Sequence, residues 1–159
     1  MKPNIGIKDS DRASIVDILN RFLSDEFLLY TKTRKFHWNV TGPRFHDLHK
    51  FFESLFEELD DVIDDVAERA RSLGGPAFGT FAEYSKNARL KETPGKNPSE
   101  DGMLKELLND HETVIKNLRE DLVTVGEKHG DAGTNDFLTG LMEKHEKTAW
   151  FIRAFIEEK

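Results

Sequence analysis

The chain has 159 residues, 37% hydrophobic and 33% charged, with a net charge of −7 and no cysteine. That length suits one domain able to bury a core without covalent staples, and the lack of Cys excludes disulfides, thiolate metal sites and Cys nucleophiles. No apolar run approaches the roughly 18 residues of a membrane span, the opening MKPNIGIKDS lacks the long apolar stretch of a secretory signal, and the negative balance argues mildly against nucleic acid and for cation handling; the expectation is a cytoplasmic protein.

Residues 1–8 read as a short arm, and 9–159 as a single domain. Asp9 or Ser10 is placed to cap a first helix. In it Ile15, Ile18, Leu19, Phe22, Leu23 and Leu29 recur at helical spacing as far as about Trp38. Asn39-Val-Thr-Gly-Pro43 breaks the pattern. A second helix is predicted from Phe45 to Leu73, with Leu48, Phe52, Leu55, Phe56, Leu59, Val62, Ile63 and Val66 as its apolar stripe. Gly74-Gly75-Pro76 ends it. A long connection follows over 76–98, with a short helix predicted from Phe81 to Leu90. The third helix is predicted from Ser99 to Lys128, with Leu104, Leu107, Leu108, Ile115, Leu118 and Leu122 inward. The fourth starts near Thr134 and carries Phe137, Leu138, Leu141, Trp150, Phe151, Phe155 and Ile156 to the end. No segment reads as a strand. Four long helices with one long connection between the second and third predict an all-α, ferritin-like four-helix bundle with a short extra helix in that connection.

The second helix carries an unusual density of acids. Glu57, Asp61 and Asp65 suit a solvated face. Two pairs do not read so simply: His49 with Glu53, and Asp64 with Glu68, each at i and i+4 and so on one helix face. Imidazole with carboxylates is the donor mix of iron, manganese or zinc. Glu53 and Asp64 return to nearly the same face but lie about 16 Å apart along the axis, too far to share an ion. A second copy of the helix, antiparallel about a two-fold axis near Glu58 and Leu59, would bring His49 and Glu53 of one chain to Asp64 and Glu68 of the other. His37, in Phe36-His-Trp-Asn39, is a further candidate ligand. His46 reads as a surface or outer residue. His111, His129 and His145 have no acidic partner at a diagnostic spacing, and His145, beside Glu143 and Glu146, reads as solvated surface. No Glu-x-x-His occurs, so an intrasubunit di-iron site of the ferritin-like kind is not encoded. HExxH, GxSxG, P-loop and GxGxxG motifs are absent too.

Three segments carry a resemblance: Lys32-Thr-Arg-Lys-Phe-His37-Trp-Asn-Val-Thr-Gly42, then Phe45-His-Asp-Leu-His49, then Asp64-Asp-Val-Ala-Glu68-Arg-Ala-Arg-Ser-Leu-Gly-Gly75. Together the chain resembles the Dps family, the mini-ferritins named as DNA-binding proteins from starved cells. The resemblance implies a hollow shell of twelve subunits with an intersubunit ferroxidase centre. It implies His37, His49 and Glu53 from one subunit and Asp64 and Glu68 from its neighbour, as catalytic metal ligands. Glu53 stands where the family usually has Asp. The implied activity is oxidation of Fe(II) to Fe(III), preferentially by hydrogen peroxide, with ferric mineral stored inside and the cell protected from oxidative stress. Zinc and manganese are possible competitors for the ligands. Trp38 resembles the family tryptophan near the centre, where it would intercept stray oxidising equivalents or pack at the interface. Asp136 matches an iron-admitting pore position; Asp131 reads better as helix-start chemistry.

The family name suggests a second role, binding chromosomal DNA. Residues 1–12 hold Lys2, Lys8 and Arg12 against Asp9 and Asp11, and the chain ends Ile156-Glu-Glu-Lys159. Phosphate binding needs several cations acting together. Weak or no DNA binding is therefore expected.

Overall fold

The structure, a computed structural model, describes residues 3–157. Lys2 and the terminal Glu158-Lys159, which entered the charge argument above, lie outside the described residues. The elements are α1 (Asp9–Asn39), α2 (Phe45–Ser72), α3 (Phe81–Asn87), α4 (Glu100–Val123) and α5 (Ala132–Ile156). There is no strand among the described residues, and the predicted four long helices with one short helix in the long connection are what the chain forms.

The apolar stripes face one core. Phe22, Phe36, Phe52, Leu104 and Leu138 are all fully buried in it. Ile63, Leu108, Ile115, Leu122, Phe137, Phe155 and Ile156 pack against its edge, half-buried, whereas Phe56, predicted in the inward stripe, turns its ring to His37 and Tyr30 instead. Trp150 and Phe151 lie outside the core. They are 58% and 40% exposed and stack on each other, centroids 4.8 Å apart. The inward face of α5 is set by Leu138, Leu141, His145, Ala149 and Ile152, and positions 150 and 151 are rotated about 100° and 200° away from Ala149.

The helix ends show where local chemistry prevails. α1 begins at Asp9, and its N-cap is Lys8 with no side-chain cap, so neither Asp9 nor Ser10 caps it. Asp9 takes the Arg12 guanidinium instead, at 2.7 Å. Ser99 caps α4 through Gly102 N. α4 then stops at Val123, short of the predicted Lys128, because Thr124–Lys128 widens into a π turn. Gly126 lies so close to Asn135 that a Cβ would meet its Nδ2 at 2.8 Å, while that Nδ2 donates to Leu122 O at 2.8 Å. The Asn135 amide thus partners a carbonyl at the widened turn. Asp131 caps α5 by accepting from Thr134 N at 3.0 Å, so the helix starts before the predicted Thr134. Arg69 of α2 reaches Thr134 Oγ1 at 2.8 Å and Asp131 at 3.5 Å.

The connection over 73–99 is fastened along α1. Asn20 donates to Pro76 O at 3.0 Å and accepts from Phe78 N at 2.9 Å. Thr80 and Glu83 close a capping box at the start of α3. Fully buried Asp25 accepts from Arg89 N (2.5 Å), Leu90 N (3.2 Å) and Arg89 Nε (2.7 Å), while Arg89 Nη1 reaches Asp121 of α4 at 2.9 Å. Lys32 bridges Lys91 O (3.0 Å) and Asp110 (2.5 Å). Buried polar groups that find partners in this way cost little to bury.

The corner between α1 and α2 matters most for the site. Val40 N returns to Phe36 O at 2.8 Å. Gly42 adopts φ +137°, and a Cβ there would meet the Glu100 carboxylate at 2.6 Å. That carboxylate accepts from Arg44 N at 2.9 Å, and the Arg44 guanidinium donates to Asp101 at 2.5 Å and Phe155 O at 3.3 Å. The corner is therefore tied to the start of α4 and the end of α5.

Candidate metal centre

His37 ends α1 and His49 opens α2, one on each side of that corner. Their rings stack, centroids 3.8 Å apart at 22°. Each ring's Nδ1 lies 2.9 Å from the other residue's backbone oxygen, His37 Nδ1 to His49 O and His49 Nδ1 to His37 O. A carbonyl only accepts, so both Nδ1 atoms carry hydrogen. In the neutral rings both Nε2 atoms then keep their lone pairs, the tautomer a metal ligand needs. His37 is buried and His49 half-buried; Phe56 sets its edge against the His37 ring at 5.2 Å, and Phe45 stacks on His49 at 5.1 Å.

Glu53 is one turn along from His49, with its side chain 33% exposed. Lys50 Nζ donates to Glu53 Oε2 at 2.6 Å, and that ammonium holds the Glu53 carboxyl below the usual carboxylate range. Asp64 and Glu68 lie on the same helix, both exposed. The pairs occupy an arc of about 100° on α2, turned roughly 150° from the buried stripe of Leu48, Phe52, Leu55, Leu59, Val62 and Val66. One chain therefore sets His37 against His49, with Glu53 one turn further along α2, and leaves Asp64 and Glu68 about 16 Å or more beyond Glu53 along the axis. Among the described residues, no three His, Asp or Glu of a single chain converge on one ion position.

Trp38 is 65% exposed, with the Arg34 guanidinium 5.2 Å from its ring centre and as close to Phe56. His46 is exposed, beside Asp47 at 3.3 Å, and Glu57, Asp61, Asp65 and Asp136 are exposed too. Asp131 is buried in its capping role, as the helix-start reading had it.

Two of the remaining histidines, His145 and His129, correct the sequence reading, and His111 joins the first of them. His145 is not solvated surface; it is 4% exposed, with Nε2 3.2 Å from Glu26 Oε1. His111 is 2% exposed and meets His145 Nδ1 to Nδ1 at 2.9 Å. His129 has an acidic partner, Asp11 Oδ1, at 2.9 Å. The acidic partners of His129 and His145 come from α1, more than a hundred residues away in sequence, so helical spacing could not reveal them. Glu143 and Glu146 misled because neighbours in sequence lie on a different face from His145.

Comparison with known proteins fits this architecture. The ferritin-like domain family matches residues 16–159. The chain is 47% identical over 154 residues to a low-temperature-induced protein of Nostoc sp. strain PCC 7120, covering 97% of this chain and 86% of that protein. It is 34% identical over 151 residues to a DNA protection during starvation protein of Brevibacillus brevis, covering 95% of this chain and all of the relative. The crystal structure of a Dps protein from Vibrio cholerae, described as one of a broad superfamily of ferritin-like diiron-carboxylate proteins, superposes with a TM-score of 0.91 at 26% identity, covering 98% of this chain and 97% of that one.

Fold and family match together define a ferritin-like chain. Within that class the chain belongs to the Dps family.

Proposed function

We propose that the chain is a ferroxidase and iron store, working at a centre shared across a two-fold subunit interface. The observation that carries the reading is the reciprocal clasp of His37 and His49, which leaves two Nε2 lone pairs free, with the Glu53 carboxylate one turn along α2 from His49. Those three donors form an incomplete ligand set, and the outward-turned Asp64 and Glu68 of a neighbouring copy would complete it. Ferrous iron is the substrate. Neutral imidazole suits Fe(II), and hard carboxylate suits the Fe(III) product. Paired centres let two irons give one electron each to a single hydrogen peroxide. Two Fe(II), one peroxide and two waters then yield two FeO(OH) and four protons, with no hydroxyl radical. The assembly is a homo-oligomer, a dodecameric shell that holds the mineral inside. The setting is cytoplasmic, and the role is relief of iron and oxidative stress. Asp136 serves at a pore that admits iron, and Trp38 takes up stray oxidising equivalents. Zinc and manganese compete for the same donors.

DNA binding is the disfavoured second reading. The chain carries a net −7, and Arg12 is held by Asp9 and Ile7 O rather than free for phosphate.

The test is an anaerobic peroxide titration of Fe(II) on the protein, followed by ferric absorbance and by proton release. The expected result is an endpoint at two irons per peroxide with a soluble product and no spin-trapped radical. One iron per peroxide with radical release would sink the proposal. Glu53 adds a second test, because it must let go of Lys50 to meet a cation. Lys50→Gln is expected to tighten Fe(II) binding several-fold in an anaerobic titration; unchanged affinity would remove Glu53 from the ligand set.

A further inference from the structure

The bundle centre holds a second polar cluster, apart from the interface donors. Glu26 of α1 is fully buried, and neither carboxylate oxygen has a hydrogen-bond partner. Its contact to His145 Nε2, at 3.2 Å, is close enough for an ion pair but off the hydrogen-bonding angle. His145 of α5 passes the chain on to His111 of α4 through the 2.9 Å contact between their Nδ1 atoms. His111 Nε2 is buried and unpartnered. The edge of Phe22 packs against His145 with centroids 6.2 Å apart. A narrow crevice between α2, α4 and α5 ends on the two histidines, and its other polar lining is Glu58, Lys144 and Thr148. Asp110, next to His111, is turned to Lys32. The charged groups around the cluster are thus Glu26 from α1, Glu58 from α2 and Lys144 from α5.

The three side chains form a line and do not converge on a point. His145 offers one nitrogen to Glu26 and the other to His111, so a single ion could not take all three donors as they stand. A shared proton suits a line. An Nδ1-to-Nδ1 hydrogen bond requires one nitrogen with hydrogen and one without. A second proton on that pair removes the acceptor, turns two N–H groups against each other and adds a positive charge in a buried, low-dielectric place.

We propose that Glu26, His145 and His111 form an acid-sensing latch, closed while one proton is shared between the two Nδ1 atoms and opened along the α4–α5 seam when a second proton arrives. The direction follows from burial. Desolvation first, and the neighbouring His145 second, hold the His111 ring's pKa well below the ordinary imidazole value. The unfolded or opened ring therefore binds a proton more readily than the closed one. The closed state keeps its full stability above about pH 6.5 and loses it as pH falls below that, until the closed-state pKa is reached.

The test is hydrogen exchange by mass spectrometry on the assembled full-length protein between pH 7.5 and 5, corrected for intrinsic exchange. In the wild type, protection of α4 and α5 peptides around His111 and His145 is expected to fall up to about tenfold per pH unit below 6.5, the signature of one linked proton. Peptides of the α1–α2 corner should not follow. His111→Asn cannot take the proton and should lose the pH dependence; His111→Phe, filling the space, serves if the Asn variant fails to assemble. A pH-independent wild type overturns the latch, and so does an unaltered fall in the variants. Metal analysis of the same samples supplies the other contrary outcome. One ion per chain that survives a His49→Ala, Asp64→Ala background and disappears with His111→Asn would make the cluster a metal site and not a latch.

Discussion

Replacing His49 and Asp64 together by Ala is expected to slow peroxide-driven iron oxidation on the order of 100-fold or more, with the shell still assembled. Outer partners of metal ligands already cost 10–100-fold when lost, and this pair removes one donor from each side of the shared centre. His49→Ala also opens the clasp, because His49 Nδ1 no longer reaches His37 O. His37 then loses the stacked ring that holds it. Asp64 is exposed in the single chain, so Asp64→Ala alone should leave folding untouched and report on chemistry. Stopped-flow absorbance with sizing of each variant checks both halves. Variants that oxidise iron as fast as the wild type would return the acidic face of α2 to ordinary solvated surface.

Arg89→Ala is expected to be the most damaging single change to stability, at about 3 kcal/mol. Removing one partner of a buried ion pair costs roughly 3–5 kcal/mol, because the charge left behind is uncompensated. Arg89 serves two such carboxylates at once, Asp25 of α1 and Asp121 of α4. The lower figure applies because Asp25 keeps two backbone donors, from positions 89 and 90. Arg89→Lys should recover only part of the loss, since a single ammonium lacks the guanidinium fork that spans both carboxylates. Denaturant unfolding at fixed chain concentration measures this. A midpoint within 0.5 kcal/mol of wild type, on the order expected of a neutral surface change, would mean that the connection is not held by this pair.

The helices were legible in the sequence because their signals are local. Apolar residues repeated at 3.6-residue spacing over 25 residues or so, and Gly74-Gly75 and Gly130 to Gly133 marked the stops. The clasp was half legible. The sequence put His37 and His49 on either side of a corner but did not show that each ring is fixed by the other's backbone carbonyl. What escaped was tertiary and polar. Asp25 with Arg89, Lys32 with Asp110, and Glu26 with His145 and His111 join elements between 34 and 119 residues apart in sequence. No periodicity reports such a pairing. The π turn escaped for a related reason, because its partner Asn135 lies beyond the break, on α5.

In the proposed assembly, one working centre draws ligands from two chains. Co-assembly of two inactive variants tests it most directly. His49→Ala subunits and Asp64→Ala subunits are refolded together in equal amounts, and oxidation by peroxide is compared with each variant alone. At a two-fold interface, a mixed pair rebuilds one intact centre and doubly damages the other, so random assembly should restore about a quarter of the wild-type centres. Activity near that fraction, against near-silence in each separate variant, is the predicted result. A mixture as inactive as its parents, with mixed shells confirmed by mass, would contradict a shared centre and place all the essential ligands within one chain.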